Sequence, residues 1–75
     1  MTATKEALIV RTIHPSLGYS VHVETWDENG HDNLGWRHRE LLTTQGAADL
    51  VASERSDLER RGYDVEATDR EVSAS

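Results

Sequence analysis

One stretch of this 75-residue chain, TTQGAADLVASERSDLERRG from Thr43 to Gly62, carries helical periodicity, and both of its ends are written into it. Thr43 or Thr44 can cap the first turn, Ala47, Leu50, Val51 and Leu58 form a narrow apolar stripe, and Gly62 stands where a left-handed residue closes a helix. With Gly62 at C′, Leu58 and Tyr63 become the apolar pair that accompanies a Schellman stop, and Asp57 lies one turn before Arg61. The rest of the chain reads as strands and turns. A single helix covers one side of a sheet, so the other side must meet solvent or a partner.

The first strand, ALIVRTIH from Ala7 to His14, is rich in β-branched residues and apolar on both parities, as expected of a central strand. Pro15 and Gly18 punctuate a turn. YSVHVETW follows and alternates more cleanly, with Tyr19, Val21, Val23 and Thr25 on one side and Ser20, His22, Glu24 and Trp26 on the other. Asn29-Gly30 is a strong hairpin signal, because a type I′ turn needs positive φ at both central residues. Centring the turn there sets Glu28 opposite His31, Thr25 opposite Leu34 and Val23 opposite Trp36, but brings Asp27 against Asp32. A longer loop would instead pair Trp26 with Trp36, Glu24 with His38 and His22 with Glu40. After the helix, YDVEA forms a short fourth strand.

Two hairpins followed by a right-handed crossover predict an α+β fold, a small four-stranded mixed sheet of the pattern β-β-β-α-β and order 3-2-1-4, with one helix packed on one face. The domain is expected to span 6–68, with flexible ends over 1–5 and 69–75. So short a chain has a small core and a total stability of about 4 to 11 kcal/mol. Association with a second copy is therefore a natural source of further stability.

Composition excludes several classes of function. There is no cysteine, hence no disulfide, thiolate metal site or cysteine nucleophile. Eight basic residues, seven of them arginine, stand against fourteen acidic ones, and the net charge of −6 disfavours general nucleic-acid binding. The N-terminal segment has neither the length nor the apolarity of a signal peptide or membrane span, and a cytoplasmic location is expected. His14, His22, His31 and His38 are spaced eight, nine and seven residues apart, without a His-x-His or His-Glu-x-x-His pattern, so no metal is expected. DENGHDN resembles the start of a calcium loop only as far as Asp27 and Asn29. Asp32 stands where that loop needs glycine, and His38 where it needs a bidentate glutamate. No phosphate-cradling glycine pattern and no nucleophile elbow occur, so neither a cofactor nor a small-molecule substrate is expected.

The functional expectation rests on the uncovered side of the sheet. With Leu8, Val10, Val21, Val23, Leu34 and Trp36 beneath the helix, the opposite face would carry Ile9, Ile13, His22, Glu24, Trp26, Arg37 and Arg39. That mixture of aromatic, aliphatic and arginine side chains is the composition of an interface centre. It predicts a small non-catalytic protein-binding or accessory module, self-associating as a homodimer or docking on a host protein. Short, acidic, arginine-biased chains of this kind suit bacterial or phage accessory proteins. Two alternatives are nucleic-acid contact through Arg11, Arg37 and Arg39, and an enzyme that uses His22 and Glu24 at a dimer interface.

Overall fold

The computed structural model describes residues 5–72; expectations for residues 1–4 and 73–75 lie outside the described part. Strands β1 (Glu6–His14), β2 (Gly18–Asp27) and β3 (Gly30–Trp36) are followed by helix α1 (Thr44–Arg60) and strand β4 (Asp64–Glu71). The sheet order is β3-β2-β1-β4, with β4 parallel to β1 and the hairpins antiparallel, as the sequence predicts. β4 runs past its expected end, through residues assigned above to the tail, and Val72 N–H still donates to the Ile13 carbonyl at 3.0 Å.

The helix begins and ends for the reasons its sequence carries. Thr43 is the N-cap, its hydroxyl accepting from Gly46 N–H at 3.0 Å. At the other end Gly62 has φ +92, its N–H reaches the Glu59 carbonyl at 3.0 Å and Tyr63 N–H reaches Leu58 at 3.1 Å, the double bond of a Schellman stop. Asp57 pairs with Arg61 at 3.0 Å. Ala47 and Leu58 pack with Ala7, Ile9, Val21, Val23 and Val65 into one core, and Leu50 and Val51 flank it.

This core inverts the expected parity of β1. Ile9 is fully buried on the helix side opposite Val23, and Ile13 faces the same way opposite Tyr19, whereas Leu8 and Val10 lie on the helix-free face. The cause is the turn. His14 pairs with Gly18 across three residues, Pro15 to Leu17, which aligns odd positions of β1 with odd positions of β2. Leu17 N–H bonds the His14 carbonyl at 2.9 Å over Pro15 and Ser16, and Ser16 takes φ +65, as the third residue of a type II turn must. Because β1 is apolar on both sides, its own sequence does not choose between them.

Both expected registers of the second hairpin are also replaced. Asp27 pairs with Gly30, Trp26 with His31 and Thr25 with Asp32. The Asp27 carboxylate accepts Asn29 N–H at 2.8 Å, so the turn residues are Glu28 and Asn29, and Gly30 alone takes positive φ, at +104. A type I′ turn on Asn29-Gly30 would need positive φ at Asn29 too. The observed pairing also moves Asp27 out of the place directly opposite Asp32. A bulge then inserts Leu34: Asn33 Oδ1 accepts Gly35 N–H at 2.9 Å, Gly35 takes φ +71, and beyond it Val23 faces Gly35 and His22 faces Trp36.

Asp27 also joins the hairpin to the end of the helix, because Tyr63 Oη donates to its Oδ2 at 3.0 Å. That bond, more than burial, holds the Tyr63 phenol above its ordinary value, since ionisation would set phenolate against carboxylate. A folded-state value above the unfolded one means that the stabilisation is complete below the unfolded tyrosine value, about pH 10, and is lost as pH rises through the folded value. Tyr63→Phe should therefore melt below the parent protein by a constant margin up to about pH 10 and converge with it in more alkaline solution. Thermal melts of both proteins across pH check this; a margin independent of alkali would remove the link.

Candidate binding face

Directly paired residues share a face of the sheet, so the registers place side chains on the helix-free side in rows. At the β2–β3 turn end stand His31, Trp26, Glu6 and Asp64; next come Asn33, Glu24, Leu8 and Glu66. The third row is Trp36, His22, Val10 and Thr68, and beyond it lie Ser20, Thr12 and Arg70. Four carboxylates thus gather at one end of the face, while Arg70 and His14 stand toward the other.

The aromatic residues are organised in two groups. Trp26 stacks on His31 with ring centroids 4.9 Å apart and planes 18° apart. His31 is held in turn by Glu24, Nε2 to Oε1 at 2.9 Å, and the other oxygen of Glu24 lies 3.6 Å from His22 Nε2. Trp36 stacks on His38 at 5.2 Å and meets the edge of His14 at 6.2 Å, and His14 Nε2 lies 2.8 Å from Ser20 Oγ. Trp26 is 37% exposed and Trp36 52%. Burial of Val10 on this open side follows from its place beside His22 in the third row.

His38 performs a backbone task. The chain bends away after β3, so Arg37 N–H reaches the Val21 carbonyl at 3.1 Å, but the reciprocal bond, from Val21 N–H, goes at 2.9 Å to His38 Nε2. The ring's Nδ1 donates to the Glu40 carbonyl, fixing the neutral tautomer. Pairing resumes at Tyr19 and Leu42, where Gly18 is required: at φ +136, a Cβ there would lie 2.8 Å from the Leu42 carbonyl oxygen.

Of the seven residues expected at an interface, His22, Glu24 and Trp26 lie on the helix-free face. Ile9 and Ile13 do not, for the parity reason given above. Arg37 does not either: its Nε bonds Glu54 of α1 at 3.1 Å, which turns it to the helix side. Arg39 is exposed in the bend after β3. Arg11, on the helix side opposite Val21, is gripped by Asp69 at 3.0 and 2.8 Å, and this hydrogen bonding raises its affinity for its proton further. The expected strip of Arg11, Arg37 and Arg39 is therefore dispersed, and two of its guanidinium groups are already paired. Sequence reasoning missed Trp36 because the Leu34 bulge sets its side, His14 because the three-residue turn after it sets the side of β1, and His31 because the expected register places it opposite Glu28 at the turn and not opposite Trp26.

Among the described residues, no group of three or more histidine or acidic side chains is arranged to hold a metal ion, and no helix is long and apolar enough to cross a membrane. The fold and the face together define a four-stranded mixed sheet with one helix and an open side of tryptophan, histidine and carboxylate. No known protein family, curated protein or solved structure matches the chain.

Proposed function

We propose that this chain is a small non-catalytic module that binds another protein through the helix-free face of its sheet. The observation that carries this reading is the exposure of both tryptophans, 37% for Trp26 and 52% for Trp36, on a side that no element of the described chain covers. Indole rings at the centre of a surface are the side chains on which protein contacts most depend. Four strands about 4.8 Å apart, rising about 3.3 Å per residue, offer several hundred Å². That is enough for one side of a small interface. Self-association is the simplest form of such binding, and light scattering across concentration reads it directly. A catalytic reading has less support: His22, Glu24 and His31 lie on open sheet, and neither described groove is lined by a histidine.

Trp26→Ala and Trp36→Ala should each leave the melting temperature within about 5 °C of the parent, because neither indole belongs to the core. Each should weaken association about tenfold or more. Association unchanged in both variants, or loss of the folded state in either, would overturn the reading.

A further inference from the structure

Beneath Trp26 the face opens into a groove of about 600 Å³, lined by Glu6, Leu8, Asp64, Val65 and Glu66 with the indole itself. We infer that this groove binds the guanidinium of an arginine carried on a basic segment of a partner protein. The inference rests on the reading of the helix-free face as a protein-binding surface and names what that surface recognises.

Charge is the first reason. Glu6 and Asp64 are direct neighbours across β1 and β4, and Glu66 lies one pair further along beside Leu8. Like charges so placed oppose folding. Three of the four acids of the helix are treated differently: Glu54, Asp57 and Glu59 each have an arginine partner, as does Asp69 on the other side of the sheet. Among the described residues Glu6, Asp64 and Glu66 have none. Their charge is left for something that arrives from outside.

Trp26 decides which cation fits. An indole attracts a cation over its ring more strongly than any other aromatic side chain. A guanidinium lies flat on such a ring and still directs its fork of N–H donors at neighbouring carboxylates, which an ammonium does not. The groove also borders the outer edge of β4, which among the described residues pairs only with β1, so an extended segment has open main-chain groups beside it. A second copy of this chain is a poorer occupant. It brings a net charge of −6, and among the described residues of the same face only Arg70 to set against the four carboxylates.

The test titrates an acetylated and amidated Gly-Arg-Gly-Arg-Gly peptide, and its citrulline counterpart, into the full chain, with amide chemical shifts and tryptophan fluorescence as readouts. The arginine peptide should shift Glu6, Trp26, Asp64 and Glu66, and should bind about tenfold more tightly than the citrulline peptide. Raising salt from about 20 to about 200 mM should weaken it. The double variant Asp64→Asn, Glu66→Gln, altered only at exposed positions and relieved of two like charges, should melt no lower than the parent and lose about tenfold in affinity. Absence of shifts with the arginine peptide, equal binding of the citrulline peptide, or unchanged binding by the double variant would each overturn the inference. A dimer that depends on the tryptophans, in a chain that does not bind the arginine peptide, would defeat the arginine groove while leaving the binding face standing. Loss of the tryptophan dependence would defeat both.

Discussion

Replacing Ile9 with alanine is expected to remove about 2 to 5 kcal/mol of stability, a large share of the about 4 to 11 kcal/mol available to a chain of this length. Ile9 is fully buried, and its neighbours in the core are short: Ala7 and Ala47 beside Val21, Val23 and Val65, with Leu58 from the helix. Small residues on a sheet of fixed spacing cannot close over a missing sec-butyl group, so the cavity persists. Ile13→Ala, at a half-buried position near the end of the strand, should cost less. Chemical denaturation of the two variants beside the parent decides the point. Equal losses, or a smaller loss at Ile9, would mean that the side of β1 facing the helix has been misjudged.

The same residue marks what the sequence makes legible. Element order, sheet order and the helix ends follow from local chemistry: a threonine cap, an apolar stripe, a glycine stop, and turns short enough to force antiparallel neighbours. These signals act within a few residues and do not depend on how strands align. Facing is different. β2 declares its sides by alternation, and His22, Glu24 and Trp26 lie where that alternation predicts. β1 declares nothing, being apolar at Leu8, Ile9, Val10 and Ile13 alike, so its side was chosen by a three-residue turn in which Ser16 accepts positive φ. Such a turn is hard to read from sequence, because serine is a poor signal for that backbone geometry. In β3 the deciding groups are the side chains of Asp27 and Asn33, each accepting a backbone N–H two residues on. The first moved the turn by one residue and the second added a bulge. The bulge alone brought Trp36 to the open face, since a turn moved by one residue shifts the pairing by two and keeps each side. The turn after His14 set Glu6, and with it Asp64 and Glu66, beside Trp26, residues that no motif connects in the sequence.

His38→Leu should cost about 1 to 3 kcal/mol, although the replacement is more apolar than the residue it removes. Val21 is fully buried and lies in the core, and its N–H has the His38 imidazole as its acceptor. In an ordinary ladder the carbonyl of Arg37 would accept that bond, but the chain turns out of the sheet there and returns only at Leu42. A leucine fills much the same space and offers no lone pair, so a buried donor loses its partner and Trp36 loses the ring it stacks on. Two measurements separate these effects. Melting should fall by at least about 4 °C. Hydrogen exchange at the Val21 amide should accelerate by more than the drop in global stability explains, because the strand opens locally at 37–41. His38→Gln, whose side-chain carbonyl can accept in place of Nε2, should recover part of the protection without restoring the stack. An amide at Val21 that stays as protected in His38→Leu as in the parent would show that the strand edge finds another acceptor, and with it that the bend after β3 is held by something other than this ring.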